Sequence, residues 1–112
     1  GDDKRRYPWG DAMPRCKDAV FARYGPENPG CSKQPIGTAK ADAHPKTASP
    51  YGALDMAGSL WEWTRERSSR GLPILRGGAW DSPETGIRVD ARLEQSPGNG
   101  DVTLGFRCVK EP

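Results

Sequence analysis

Residues 51–63, YGALDMAGSLWEW, restrict the choice of fold because they combine glycines, tryptophans and acids in one short segment. Gly52 and Gly58 interrupt any regular helix, and the order of apolar and polar residues is too irregular for a strand. Trp61 and Trp63 carry large rings that favour burial. The segment is therefore predicted to be an irregular loop that two tryptophans anchor in a core.

The core that could receive this loop is poor in aliphatic side chains. Leu, Ile, Val and Phe together supply 15 of the 112 residues, whereas glycine supplies 14 and proline 11. The four tryptophans and three tyrosines compensate in part, because each aromatic ring buries a large area. A single small, loop-rich domain is predicted, and such a domain usually needs a disulfide, a metal ion or a partner surface for stability.

The charge balance argues against two classes of partner. The chain carries 17 basic and 15 acidic residues, and its longest basic cluster is only Lys4-Arg5-Arg6. No nucleic-acid partner and no membrane surface are therefore expected. No apolar run has the length of a membrane span, so no membrane insertion is expected. The first residues do not form a signal peptide, so any export signal would have to lie on a longer precursor.

Three cysteines are present. Cys16 and Cys31 bracket a loop rich in glycine and proline, and a disulfide between them would close about 15 residues and stabilise the fold by roughly 3 kcal/mol. The alternative is a pair of free thiols. A disulfide would favour an oxidising, extracytoplasmic compartment, either periplasmic or secreted. Cys108 is interpreted as a small buried residue or as the partner of a segment outside this chain.

The local patterns predict few regular elements. A short helix is predicted over residues 16–25, and residues 64–71 read as an exposed polar link. Strands are predicted over residues 72–80, 86–94 and 102–110. The predicted fold class is α+β, with a short antiparallel sheet and little helix. Three short strands rarely form a stable sheet alone, which indicates missing partners.

Two acids in the opening segment allow a metal site. Asp55 and Glu62 lie on either side of Gly58, and a loop curled around this glycine can present both carboxylates and backbone carbonyls. Ca²⁺ prefers such oxygen ligands. The alternative is that the two acids only accept hydrogen bonds from loop amides. The residues alone leave both interpretations open.

The arginines and the lone histidine give no catalytic site. Arg76 precedes two glycines and is placed either beside a ligand or in a structural salt bridge. Arg88, Arg92 and Arg107 lie on predicted strands, where they form an anion pocket or pair with nearby acids. A Ser-His-Asp triad would need His44, which lies in the most irregular part of the chain. No catalytic residue is predicted.

Six short motifs follow one another along the chain: YPWG, PIG, SPYGALDMAGSLWEW, ILRGGAW, DAR and GFRCV. Together they resemble the formylglycine-generating enzyme, or sulfatase-modifying factor, family over about residues 7–109. The resemblance implies a variant of the C-type-lectin fold with little regular structure. It also implies that residues 1–112 are the C-terminal half of one domain, completed by an N-terminal part of the same domain or by a partner subunit.

The resemblance also bears on copper. Enzymes of that family bind copper through a cysteine pair just after the RGG motif, but this segment has no cysteine here, and Ser82 stands close to the first position. Cu(I) prefers soft ligands such as thiolates. No copper is therefore expected, and the chain is not expected to make formylglycine.

A calcium site is implied by the same family. At the matching positions of this sequence, the calcium ligands would be an oxygen of Asp55, the carbonyls of Gly58 and Leu60, and the carboxylate of Glu62. The departure is Ser59, where the family usually has asparagine.

The expected function is that of a non-catalytic pseudoenzyme: a lectin-like recognition or scaffolding domain that binds a protein or peptide and is stabilised by calcium. The family includes non-catalytic modules fused to bacterial kinases and proteases. Binding is expected on loops 81–86 and 95–101, with Trp80, Asp81, Ser82 and Arg88 as ligand-binding residues. The alternative is a metal-dependent oxidoreductase of the formylglycine-generating or sulfoxide synthase type, with metal ligands on the N-terminal part.

Overall fold

The computed structural model of the chain describes residues 3–110 as long loops around four short strands and two 3-10 helices. The elements are β1 (Trp61–Arg67), β2 (Pro73–Arg76), β3 (Arg92–Glu94), β4 (Leu104–Gly105), η1 (Pro45–Thr47) and η2 (Glu84–Ile87). No helix within residues 3–110 has the length and apolar character needed to cross a membrane. The predicted loop-rich fold with a short sheet and little helix is confirmed.

The four strands form one small sheet in the order β3-β2-β1-β4. β2 pairs antiparallel with both neighbours, so that Arg76 lies opposite Glu62 on β1 and opposite Arg92 on β3. β4 runs parallel to β1, with Leu104 opposite Trp61. The sheet is therefore mixed, and the expectation of a purely antiparallel sheet is wrong at β4.

The core combines one strand with several loops. Ile74 and Leu75 of β2 are both 0% exposed. The main buried cluster is built largely from small and aromatic side chains: Tyr7, Ala19, Phe21, Ala22, Cys31, Ala57 and Ile87. Trp61 and Trp63 lie on β1 and are only half-buried. The tryptophans of the opening segment therefore flank the core, whereas they were expected to anchor the loop within it.

Two features fix the first third of the chain. A disulfide joins Cys16 and Cys31, whose Cα atoms lie 5.5 Å apart. Between them, Arg23 is 5% exposed, and its guanidinium donates a hydrogen bond to the carbonyl of Gly37 at 3.1 Å. A charged group this deeply buried needs such acceptors. The disulfide and Arg23 together hold loops that contain no regular secondary structure.

The helix predicted over residues 16–25 is wrong. Residues 16–18 form a turn, in which the Asp18 amide donates to the carbonyl of Arg15 at 2.8 Å, and residues 21–25 have no regular structure. Two amides of the second part bond to a distant part of the chain. The Ala22 amide donates to the carbonyl of Ser82 at 2.8 Å, and the Arg23 amide donates to the carbonyl of Trp80 at 2.9 Å. Ala22 also has a φ of 51°, outside the helical range. Tertiary hydrogen bonds and the disulfide override the local helical preference.

The predicted strands are shortened and displaced. β2 ends at Arg76 because Gly77 and Gly78 adopt φ values of 101° and 73°. η2 replaces the first part of the strand predicted over residues 86–94, and only β4 remains of the strand predicted over residues 102–110. Conversely, β1 includes residues 64–67, which were predicted to belong to an exposed link. Thr64 holds β1 to β2 by donating to the carbonyl of Ile74 at 2.8 Å.

Candidate functional site

Backbone hydrogen bonds hold the YGALDMAGSLWEW loop against two other segments. The Gly58 amide donates to the carbonyl of Gly77 at 2.7 Å, and the Ser59 amide donates to the carbonyl of Val20 at 2.8 Å. In return, the Trp80 amide donates to the carbonyl of Ser59 at 2.8 Å. The loop is thus positioned by main-chain contacts with residues far away in the sequence.

Sharp turns shape the same loop. Asp55, Gly58 and Ser59 have φ values of 52°, 77° and 67°. Gly58 cannot be replaced without movement, since a Cβ atom there would lie 2.3 Å from the carbonyl oxygen of Val20. Left-handed conformations at residues other than glycine are uncommon and often occur at functional sites. Here they accompany a bend that brings several oxygen-bearing groups to one cavity.

This loop cavity has a volume of about 600 Å³, and all four of the metal ligands implied by the sequence line it. They are Asp55, Gly58, Leu60 and Glu62. Asp42 and Arg107 also line the cavity. The structure therefore brings the implied ligand set together and adds one acid and one cation that were not part of it.

Arg107 binds oxygen atoms of two of the four implied metal ligands, Glu62 and Asp55. Its Nε–H lies 2.9 Å from both carboxylate oxygens of Glu62. Its two terminal nitrogens donate to the carbonyls of Leu54 and Asp55, each at 2.9 Å. Such charge-assisted bonds from a planar guanidinium are among the stronger hydrogen bonds in proteins.

The donor set suits calcium only in part. Two carboxylates and several carbonyls are the right chemistry, but calcium takes about six to eight oxygens, and Arg107 already holds Glu62 and the Asp55 carbonyl. Among residues 3–110, no three His, Cys, Asp or Glu side chains are grouped as a metal would require. Calcium would therefore have to displace Arg107.

His44 faces the loop from the side. Its Nδ1 is buried without a hydrogen-bond partner in the described part of the chain, and lies 3.8 Å from Oδ1 of Asp55. Burial raises the pKa of Asp55 above its ordinary value, while the charges of His44 and Arg107 oppose that rise. The Asp55 carboxylate therefore lies in a partly dry environment, and the charge of Arg107 offsets only part of the effect of burial.

The four predicted ligand-binding residues do not share one cavity. Trp80 and Ser82 belong to one turn, where Ser82 Oγ accepts a hydrogen bond from the Ala79 amide at 2.9 Å. Asp81, between them, is exposed. Arg88 instead lines a second cavity, of about 380 Å³, which none of the other three lines. Of the two interpretations of Arg88, Arg92 and Arg107, pairing with acids describes two of them, since Arg88 lies 3.4 Å from Asp90 and Arg107 is bound to Glu62.

The sequence reasoning missed two sets of residues. The contact between Arg107 and Glu62 joins two of the motifs named above, WEW and GFRCV, and the opposite charges of these two residues were the only sequence signal for it. The second cavity, called the basic cavity below, is lined by Lys4, Arg5, Arg76 and Arg88. Its only sequence signal was that the longest basic cluster includes Lys4 and Arg5.

Comparison with known proteins gives one family and several relatives. The sulfatase-modifying factor enzyme 1-like domain matches the chain over residues 1–112. Inactive C-alpha-formylglycine-generating enzyme 2 of Bos taurus is 27% identical, over 92% of this chain and 36% of its own length. Hercynine oxygenase of Mycolicibacterium smegmatis is 43% identical, over 95% of this chain and 28% of its own length. The chain thus spans about a third of the length of these curated relatives.

Proposed function

The chain belongs to the sulfatase-modifying factor enzyme 1-like family, and we propose that it is a non-catalytic recognition or scaffolding domain of the C-type-lectin type that binds a protein or peptide. The observation that carries this proposal is the segment after Arg76-Gly77-Gly78, which has no cysteine. Without thiolates this segment lacks the soft ligands that Cu(I) prefers. The likeness to an inactive formylglycine-generating enzyme points the same way.

The position of Ser82 adds support. Its side chain is 7% exposed, and its hydroxyl oxygen accepts a hydrogen bond from the Ala79 amide. A hydroxyl that closes a turn in this way has a structural role. Ser82 therefore serves to hold the turn that carries Trp80 and Asp81, which belong to the proposed binding surface.

Exposed apolar side chains support a macromolecular partner. Val102, Phe106 and Val109 are 77%, 75% and 79% exposed, and they flank or follow the edge strand β4. Exposed apolar patches of this kind often mark interaction sites. We assign this edge to the N-terminal part of the same domain or a partner subunit, and loops 81–86 and 95–101 to the protein or peptide ligand.

The test combines turnover and binding. The complete protein is loaded with Cu(I) and supplied with oxygen and a cysteine-containing peptide; oxygen uptake above the rate without protein would refute the non-catalytic assignment. Binding is measured on a peptide array with the wild type, a Trp80→Ala variant and an Ile36→Ala variant. Selective peptides should be lost with Trp80→Ala and kept with Ile36→Ala, which changes an exposed apolar residue outside the two loops.

One observation favours a second candidate function. The higher identity is to a hercynine oxygenase, and that protein is an enzyme by name. An oxygenase-type chain would take its metal ligands from outside residues 3–110, since these contain no suitable group of side chains. Elemental analysis of the complete protein separates the candidates: stoichiometric iron supports the oxygenase, whereas its absence after anaerobic loading supports the recognition domain.

Calcium binding is proposed as a competition with Arg107. Removal of the guanidinium frees the Glu62 carboxylate and the Asp55 carbonyl, so Arg107→Ala should bind calcium more tightly than wild type, and Glu62→Ala should bind it more weakly. Calorimetric titration of the three proteins tests this order. Equal heats for wild type and Glu62→Ala, or no heat for Arg107→Ala, would remove the proposal.

A further inference from the structure

We propose that the basic cavity binds a small organic anion, with a carboxylate or phosphate group held by Lys4 and Arg88 and an apolar body packed against Tyr51 and Met56. This inference concerns a different part of the surface from loops 81–86 and 95–101. It does not depend on the proposed recognition function.

The charge of the cavity is the first argument. Four cationic side chains line it: Lys4, Arg5, Arg76 and Arg88. One carboxylate, Asp3, also lines it and pairs with Arg5. The cationic charge in the lining therefore exceeds the anionic charge, which favours an anionic occupant.

The four cations differ in how far carboxylates neutralise them: Arg5 and Arg76 are paired, Arg88 has one exposed partner, and Lys4 has none among the described residues. Arg76 is bound through two nitrogens to the carboxylate of Glu66, with a shortest contact of 2.8 Å. No ion pair joins Lys4 to another residue within 3–110. Arg88 has only Asp90, at 3.4 Å from Nε, and that carboxylate is 72% exposed.

The hydrogen bonding of Arg88 is the second argument. The Arg88 side chain as a whole is 41% exposed, but its Nε atom is buried, and no acceptor within the described residues receives its hydrogen, because the contact with Asp90 lacks hydrogen-bond geometry. A buried charged donor without an acceptor is unfavourable. An anion in the cavity supplies the missing acceptor, and the guanidinium suits the planar oxygens of carboxylate or phosphate.

The shape of the cavity defines the rest of the ligand. Its volume of about 380 Å³ is within the range of small-molecule sites, and it exceeds what a single carboxylate group would fill. Tyr51, Met56 and Val89 form an apolar wall and are 84%, 39% and 47% exposed. Apolar groups that remain this accessible next to cations fit a ligand with an anionic head and an apolar body.

The conformation of Lys4 is consistent with this role. Its φ is 53°, in the left-handed region that residues with side chains seldom adopt. Such conformations tend to persist at binding sites. Gly77, which also lines the cavity, has a φ of 101°, and a Cβ atom there would lie 3.1 Å from the carbonyl oxygen of Met56.

The test uses phenyl phosphate, phenylacetate and neutral benzyl alcohol as probes in calorimetric titrations of the full chain. Both anions should bind with saturation, and benzyl alcohol should not. Arg88→Gln and Lys4→Gln should each weaken anion binding about tenfold, since each removes one charged donor. Arg92→Gln is the matched control: it removes the same charge from an exposed residue outside the cavity and should change affinity less than about twofold.

Three results would overturn the proposal: no saturable binding of either anion, equally tight binding of benzyl alcohol, or equal weakening by Arg92→Gln and Arg88→Gln. Circular dichroism of each variant checks that the fold is intact, and Arg88→Lys, which keeps the charge, should bind better than Arg88→Gln. A peptide with a free C-terminal carboxylate, compared with its amidated form, shows whether the anion comes from a peptide or from a free small molecule.

Discussion

Arg107 and Glu62 lie 45 residues apart in the sequence, yet Nε of Arg107 is 2.9 Å from both carboxylate oxygens of Glu62. The same guanidinium holds the carbonyls of Leu54 and Asp55. One side chain after β4 therefore ties together the loop before β1 and the beginning of β1. The loop and the C-terminal segment should gain and lose order together.

A double-mutant cycle with Arg107→Gln and Glu62→Gln measures the coupling free energy between these two side chains. Because the two side chains are 37% and 23% exposed, solvent screens the pair, and the expected coupling is about 1 kcal/mol. Chemical denaturation of the four proteins gives the value. The pair Arg70 and Glu94, 72% and 35% exposed, is the control and should couple more weakly. A coupling for Arg107 and Glu62 no larger than this control would show that the contact does not stabilise the loop.

Gly58→Ala should be strongly destabilising. The left-handed φ of 77° costs an alanine about 1–2 kcal/mol, and its clash with the Val20 carbonyl adds about 1–3 kcal/mol of overpacking. Gly52→Ala is the matched control, since Gly52 has a φ of 83° but nothing lies within 4 Å of an added Cβ. Thermal and urea unfolding should rank wild type, Gly52→Ala and Gly58→Ala in decreasing stability. Equal losses in the two variants would mean that the contact with Val20 is unimportant.

Removing the disulfide should destabilise the chain by roughly 3 kcal/mol, the value expected for a loop of about 15 residues. The change is the double substitution Cys16→Ser and Cys31→Ser, measured by urea unfolding with and without reductant. Reductant should lower the stability of wild type but not of the double variant. Cys108→Ser is the control, because Cys108 is exposed and free, and it should leave stability nearly unchanged. Full stability of the double variant would show that the buried cluster holds this region alone.

Asp18 should make stability depend on pH. Burial of its carboxyl raises the pKa, but hydrogen bonds from Arg15 outweigh this and bring the pKa of Asp18 below the ordinary 3.8. The folded state thus favours the ionised form, so this stabilisation is present above pH 3.8 and is lost as the pH falls through the folded-state pKa.

The measurement compares wild type with Asp18→Asn. The variant should be less stable by about 1 kcal/mol at neutral pH, and the difference should shrink in acid. Arg15→Gln should reproduce part of the effect, since Arg15 Nε donates to the Asp18 carboxylate at 3.2 Å. A difference between wild type and Asp18→Asn that stays constant from neutral to acid pH would contradict this explanation.

Local patterns predicted the character of the fold better than its elements. The strand predicted over residues 72–80 includes Gly77 and Gly78, but β2 stops at Arg76 because both glycines have positive φ. β1 was missed, although Trp61 and Trp63 alternate with Glu62 and Thr64 in the period of a strand. The glycines before this stretch and the charges after it hid the alternation. Residues 16–25 have helical composition, but the Ala22 and Arg23 amides bond to distant carbonyls, which no local pattern reveals.

The candidate site also contains one part that was expected from the sequence and another that only the structure shows. The grouping of Asp55, Gly58, Leu60 and Glu62 follows from neighbouring positions in one loop, and the structure brings them to one cavity. The pairing of Glu62 with Arg107 depends on where β4 lies beside β1, so it required the sheet topology. The basic cavity likewise joins residues 3–8 with residues from three later parts of the chain, at 49–56, 76–77 and 88–89. Long-range contacts of this kind are invisible to composition and spacing.

The disulfide has a further consequence for how the sequence can vary. It fixes the Cα atoms of Cys16 and Cys31 at 5.5 Å, while residues 26–29 between them are exposed. Gly30 is constrained, since a Cβ atom there would lie 2.7 Å from the Ala22 carbonyl oxygen. Residues 26–29 are therefore an insertion point with a fixed base, and doubling the length of such a loop costs only about 0.6 kcal/mol. A foreign peptide grafted there would be displayed on a closed loop, which makes this small domain a natural carrier for selected sequences.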